Sequence, residues 1–244
     1  MKNPIEQFKK ERIENVKRLG KDKRLKFLAL KFTIESLRNK YSYNFDWLGR
    51  PIIQHPQDIV AIQELIWEVK PDLVIETGIA HGGSLILSAS ILELLGGNGK
   101  VLGIDIDIRK HNRVEIERHR MFKRIIMIEG SSIDGEVVKK ARSLAKGKKV
   151  AVFLDSNHSH AHVLRELELY SPFVSKGSYI VAFDTIAEYM PKGSIVNRLW
   201  GKGNSPATAV AVFLKKNKNF ANDRSIENKL LITSAPGGFL KRIK

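Results

Sequence analysis

Cysteine is absent from all 244 residues, which excludes a disulfide scaffold and a thiolate metal site and suits a reducing, cytoplasmic location. Long apolar runs are also missing. No stretch reaches the roughly 18 residues that a membrane-spanning helix needs, and the charged N-terminus carries no signal-type apolar core. A soluble chain with one main domain is expected, large enough to bury a core of its own. Acidic residues are few, 26 against 42 Lys and Arg, so the formal net charge is +16. The excess sits at the two ends: residues 1–40 carry 13 basic and 5 acidic side chains, and residues 215–244 carry 8 and 2. A balanced centre with basic ends points to solubility or surface attraction rather than to chemistry. Nucleic acid fits poorly despite the charge, because no aromatic-and-basic run of the kind that stacks bases is present.

What is present is strongly patterned. Ile5, Phe8, Ile13, Val16 and Leu19, then Phe27, Leu28, Leu30, Phe32, Ile34 and Leu37, recur at three-to-four spacing with a break near Gly20. That spacing predicts two basic amphipathic helices. We read residues 1–45 as a helical extension that caps the domain or makes a homo-oligomer contact, with peripheral contact to an anionic surface as the alternative, and residues 46–244 as the main domain. A turn-rich aromatic stretch over 41–58 leads into a helix through about Val69, with Asp58 in its first turn. Strands at 73–76, 100–105, 125–129, 149–155 and 178–184 then alternate with helices at 84–95, 109–118, 134–145 and 160–170. Five strands separated by helices imply a doubly wound, mostly parallel, Rossmann-like α/β sheet. A Gly/Pro-rich loop follows to about Ser205, then a helix to Lys216. Strand candidates at 222–228 and 229–234, joined almost directly, suggest an antiparallel hairpin at the C-terminal sheet edge.

In such a sheet ligands bind where the parallel strands end, and those ends are acidic here. The first runs through Glu76-Thr77-Gly78-Ile79-Ala80-His81-Gly82-Gly83-Ser84 into a helix. Gly78 lets backbone come close to a ligand, and Glu76 places a carboxylate where a Walker loop would place donors for phosphate. Neither GxxxxGK[ST] nor GxGxxG is present, so S-adenosylmethionine fits better than ATP or NAD. The second strand ends at Asp105, the position of a ribose-binding acid, with Asp107 pointing the same way two residues on. The third ends in Glu129-Gly130-Ser131-Ser132, placed for an adenine edge; Ser132 equally suits a helix cap. After the fourth come Asp155-Ser156-Asn157-His158, and after the fifth Asp184-Thr185. His158, His160 and His162 invite a zinc reading, but no HExxH or cysteine completes it. A hard cation between Asp155 and Asp184, such as Mg2+, is the better expectation, with His158 as a general base or else as a packed histidine.

Together, ETGIAHGGS, GKVLGIDIDIR, IEGSSID, LDSNHSHAHVLRELELYSPFVSKGSYIVAFDT and IENKLLITSAPGGFLKRI resemble the cephalosporin hydroxylase / rhamnosyl O-methyltransferase family within the class I S-adenosylmethionine-dependent methyltransferases, from Trp47 to Ile243. The resemblance implies methyl transfer to an oxygen of a small-molecule or glycan acceptor, such as a sugar hydroxyl of a glycolipid, polysaccharide or secondary metabolite. It also implies donor binding by Glu76, Gly78, His81, Gly82, Ser84, Asp105, Asp107, Ser131, Ser132 and Asp155. In relatives that methylate macrolide sugars, magnesium is held by an acid after strand four and an acidic pair after strand five, with a histidine three residues past the first acid as base. Asp155, His158 and Asp184 match those positions. Phe183 does not match the first member of the pair, and Glu188 can replace it only if the next loop folds back. That loop, 186–204, reads as a lid, with Pro191, Gly193, Trp200, Gly201 and Gly203 in it; Trp200 is a sugar-stacking ring or a packing anchor. Alternatives to the O-methyltransferase reading are an RNA methyltransferase and a non-catalytic S-adenosylmethionine-binding protein.

Overall fold

The computed structural model of the chain describes residues 3–191 and 198–244. Two N-terminal helices, α1 (Pro4–Lys21) and α2 (Lys23–Arg38), break at Asp22 rather than at Gly20. Asp22 closes α1 through its N–H on Arg18 and Leu19 carbonyls, and its side chain accepts from Leu25 N at 2.8 Å to start α2. A capping aspartate thus outweighs a glycine that packs against Asn228. α1 buries none of its residues and runs along a helix near the C-terminus, leaving Ile5, Phe8 and Ile13 exposed. The turn-rich stretch forms a two-stranded hairpin, β1 (Phe45–Trp47) and β2 (Arg50–Ile52), before α3 (Pro56–Val69).

The main sheet is built from β3 (Leu73–Thr77), β4 (Lys100–Asp105), β5 (Ile125–Glu129), β6 (Val150–Leu154) and β7 (Tyr179–Ala182), all mutually parallel. They alternate with α4 (Gly83–Leu95), α5 (Lys110–Arg118), α6 (Gly135–Ala145) and α7 (His160–Tyr170). β3 and β6 are buried along their whole length, as expected of central strands covered on both faces. One apolar layer packs α3 and α4 on the sheet through Ile62, Ile66, Leu85 and Ile91; the other packs α6 and α7 through Val138, Ala141, Leu167 and Tyr170.

The C-terminal part adds α8 (Pro206–Lys216), β8 (Phe220–Asn222), α9 (Arg224–Leu230) and β9 (Phe239–Arg242). The full order is β5-β4-β3-β6-β7-β9-β8, and β9 runs antiparallel to both of its neighbours. The antiparallel edge pair therefore exists, but not at 222–228 and 229–234, and not as a tight hairpin. Asp223 caps residues 224–230 into a helix by accepting from Ser225 N at 3.1 Å, and Ile226 and Leu230 face the core at helical spacing. Among the described residues no helix is long and apolar enough to cross a membrane.

Candidate functional site

Because β3 to β7 are parallel, their carboxyl ends share one edge, and the acids expected there are brought together by topology. β3 turns at Gly78, whose φ of +91° is left-handed and whose added Cβ would meet Asp155 O at 2.1 Å. The glycine is thus needed for close packing of the β3 and β6 ends as well as for access to the edge. Asp105 at the end of β4 reaches across to the loop: its Oδ2 accepts from Ile79 N at 2.7 Å, and its Oδ1 accepts from Asp107 N at 3.1 Å. From the other side Arg50 donates to His81 O (3.1 and 2.7 Å) and to Asn112 Oδ1 (3.2 Å), while Asn112 donates to Ala80 O at 2.9 Å. Arg50 and Asn112 were not singled out from the sequence. Their part depends on contacts 31 and 32 residues away that no local motif encodes.

A cavity of about 170 Å³ opens between these strand ends, lined by Gly78, Asp105, Ser131, Ser132, Ser156, Asn157 and His162 among others. That is below the ~300–1,000 Å³ of a site for a whole organic ligand, so such a ligand would enter it only in part. Asp105, Ser131 and Ser132 all line it. Asp107 and His81 are outside the lining; His81 Nδ1 sits 3.4 Å from Asn112 Oδ1. Glu76 is 3% exposed and bonds Ser84 Oγ, and burial pushes its carboxyl up to about 8. The far wall is a polar network: His162 Nε2 lies 3.0 Å from Ser132 Oγ and 3.2 Å from Ser156 Oγ, and Ser156 donates to the buried Glu166 at 2.7 Å. The sequence reading did not single out Glu166; its place four residues after His162 on α7 is the local signal that puts the two on one face.

One strand further along, Asp155, His158 and Asp184 converge, with one ligand atom from each within 4.8 Å of the others. His158 Nε2 is 3.3 Å from Asp184 Oδ2, and Trp200 stands edge-on to the imidazole at 4.7 Å between ring centres. Asp184 itself is held at φ +54°, a left-handed conformation that turns the chain out of β7. Burial first, then the nearby Asp184, Glu76 and Asp58 carboxylates, drive Asp155 well above the ordinary carboxylate range. Asp58, also raised by burial, to about 6, accepts from Ser234 N at 2.8 Å and from Thr233 Oγ1. This much buried acid needs protons or a cation, and the set of hard oxygen donors suits a hard divalent ion. The three histidines do not form a zinc site. His160 binds Thr208 Oγ1 at 2.7 Å in the α7–α8 joint, His162 lines the cavity, and only His158 joins the acids.

Phe183 is 2% exposed and packs on Phe153 in the core, and Glu188 does not fold back to replace an acid there. Glu188 instead accepts from Gly203 N at 3.0 Å and Ser205 Oγ at 2.6 Å, tying the two flanks of the 186–204 loop. Gly193, with the rest of 192–197, lies outside the described residues.

A parallel sheet with one antiparallel strand placed before its last, and a glycine loop facing acids at its carboxyl edge, defines a class I methyltransferase. The family model for rhamnosyl O-methyltransferase/CmcI matches residues 39–243, and the chain belongs to that family. A rhamnosyl O-methyltransferase of Mycobacterium tuberculosis is 35% identical over 189 residues, 76% of this chain and 73% of the relative. That of Mycobacterium leprae is 29% identical over 80% and 82%. An apo structure of CmcI shares the fold with a TM-score of 0.58 at 18% identity, covering 83% of this chain and 77% of that one. An O-methyltransferase from Bacillus cereus in complex with SAH follows at 0.52 and 15%, covering 79% and 81%. The protein is an S-adenosylmethionine-dependent O-methyltransferase of this type.

Proposed function

We propose that the enzyme methylates a sugar hydroxyl of a glycosylated small molecule, with His158 as general base and a divalent cation, Mg2+ by preference, held by Asp155 and Asp184. The observation that carries the reading is the meeting of Asp155, His158 and Asp184 at the strand edge beside the cavity. The curated relatives named rhamnosyl O-methyltransferase support the acceptor class. The donor supplies an electrophilic methyl group on a positively charged sulfur. Asp105 would accept from its ribose hydroxyls, Ser131 and Ser132 would face its adenine, and Glu76, with Gly78, Gly82 and Ser84, would receive its amino-acid end. A bound cation supplies Lewis acidity at the acceptor oxygen.

His158 takes the acceptor proton as the oxygen forms its bond to the methyl carbon from the side opposite sulfur. The carbon–sulfur bond breaks with its electrons on sulfur, which leaves neutral. Asp184, 3.3 Å from the imidazole nitrogen, stabilises the imidazolium that results. Trp200 packs edge-on against His158. Holding the reactants in line is worth roughly 7–11 kcal/mol, so no covalent intermediate is required. The test is calorimetric titration with S-adenosylmethionine and S-adenosylhomocysteine, with and without magnesium, followed by methyl transfer to rhamnosides and to RNA. Micromolar donor binding that Asp105→Ala abolishes, with label in the glycoside and none in RNA, is expected. Absence of donor binding under every condition removes the reading.

A further inference from the structure

The carboxyl edge of the sheet continues past the acids. β9 runs antiparallel to β7, so its start lies at the end of β7, where Ala182 N donates to Gly238 O at 3.0 Å. The end of β8 comes next, with Asn222 Nδ2 donating to Gly237 O at 2.6 Å. The donor cavity, the acids and these two strand ends therefore stand in one row. A second cavity, of about 490 Å³, lies over the ends of β7, β9 and β8, within the ~300–1,000 Å³ of a site for an organic ligand. Its walls are mainly apolar: Ile186 and Tyr189 from the turn after Asp184, Leu231 and Pro236 from the segment between α9 and β9, and Phe27 and Leu30 from α2. Lys26 and Arg224 also line it, and Glu227 is taken up by Gly237 N at 2.6 Å, so a cationic occupant is disfavoured.

We infer that this second cavity receives the apolar aglycone, alkyl or aryl, of the glycoside whose sugar meets Asp155, His158 and Asp184. This rests on the acceptor reading above and adds the chemical class of the rest of the substrate. The floor of the cavity is tied to the reacting centre. Asp184 opens the turn that carries Ile186, Ile186 N donates to Ser234 O at 3.1 Å, and Thr185 Oγ1 donates to Pro236 O at 2.9 Å. Neighbouring strands lie about 4.8 Å apart, so the ends of β9 and β8 stand roughly 5 and 10 Å beyond that of β7, within reach of a group carried by a sugar ring at the acids. The roof lies outside the family match, since α2 ends at Arg38 and the match begins at residue 39. α2 buries Ala29 and Thr33 against the domain and holds Phe27 beside the cavity at 64% exposure. An apolar group laid under that ring removes both surfaces from water, which gives the N-terminal extension a part in acceptor choice.

The experiment measures steady-state methyl transfer by the full-length protein at saturating S-adenosylmethionine, with methyl rhamnoside and hexyl rhamnoside as acceptors, for wild type, Phe27→Ala and Leu30→Trp. Wild type is expected to show a KM at least about tenfold lower for the hexyl than for the methyl glycoside, because the longer chain leaves water. Phe27→Ala removes part of the roof and Leu30→Trp fills the cavity, and each is expected to shrink that ratio at least about threefold. Damage to the fold or to donor binding would act on both glycosides alike and leave the ratio as it is in wild type. Equal KM values for the two glycosides in wild type overturn the inference while the acceptor reading stands, and so does a ratio that neither variant changes. If the protein binds the donor but methylates neither glycoside, the acceptor reading falls and the inference with it.

Discussion

Glu76 offers the sharpest check on the donor site. It lies at 3% exposure in the central strand, between Gly103 of β4 and Phe153 of β6, and among the described residues its carboxyl has only the Ser84 hydroxyl as hydrogen-bond partner. Burial raises it from 4.5 to about 8, so most of the free enzyme carries a protonated Glu76 at pH 7. A donor whose ammonium group lies beside this carboxyl favours the ionised form, and binding then expels the proton. Titrating S-adenosylmethionine in metal-free phosphate and Tris, whose ionisation enthalpies differ, reads that proton directly. Wild type should release more protons than Glu76→Gln at pH 7 and almost none more at pH 9.5, and the variant should bind at least about tenfold more weakly. Equal buffer dependence in the two proteins refutes the assignment of Glu76 to the ammonium. The same shift acts on folding. The folded state binds the proton more tightly than the unfolded state, so this stability is complete below pH 4.5 and is lost as pH rises through 8, by about 5 kcal/mol. Glu76→Gln should flatten that part of the urea-denaturation profile.

Two further outcomes follow from the geometry. His158→Ala should lower kcat by roughly 10²–10⁴ while leaving S-adenosylhomocysteine affinity intact, and a matching loss of donor binding would remove the base assignment. Gly78→Ala forces a Cβ to 2.1 Å from Asp155 O at φ +91°. We expect a loss of at least about 2 kcal/mol by urea denaturation; a change below about 0.5 kcal/mol would show that the β3 and β6 ends separate easily.

Much of this protein was fixed locally. Apolar runs that stop at Glu76, Asp105, Glu129, Asp155 and Asp184, separated by helical periods, were enough to state a parallel sheet with an acidic edge, because strand and helix periods and the connection rule are sequence properties. The glycine loop was legible for the same reason, and the Asp155-to-His158 spacing through the family resemblance. Residues 222–234 misled because Ile226 and Leu230 suit a helix as well as a short strand, and Asp223 decides only once it is seen to cap. Tertiary structure alone sorted the three histidines, since their partners Thr208, Ser132 and Asp184 come from other elements. It alone showed Arg50 and Asn112 bracing the loop and Glu188 tied away from the acids. Sequence sets what each segment can form at its own period. Which side chains meet at the sheet edge depends on the order in which strands pair, and that order is decided by packing across the whole chain.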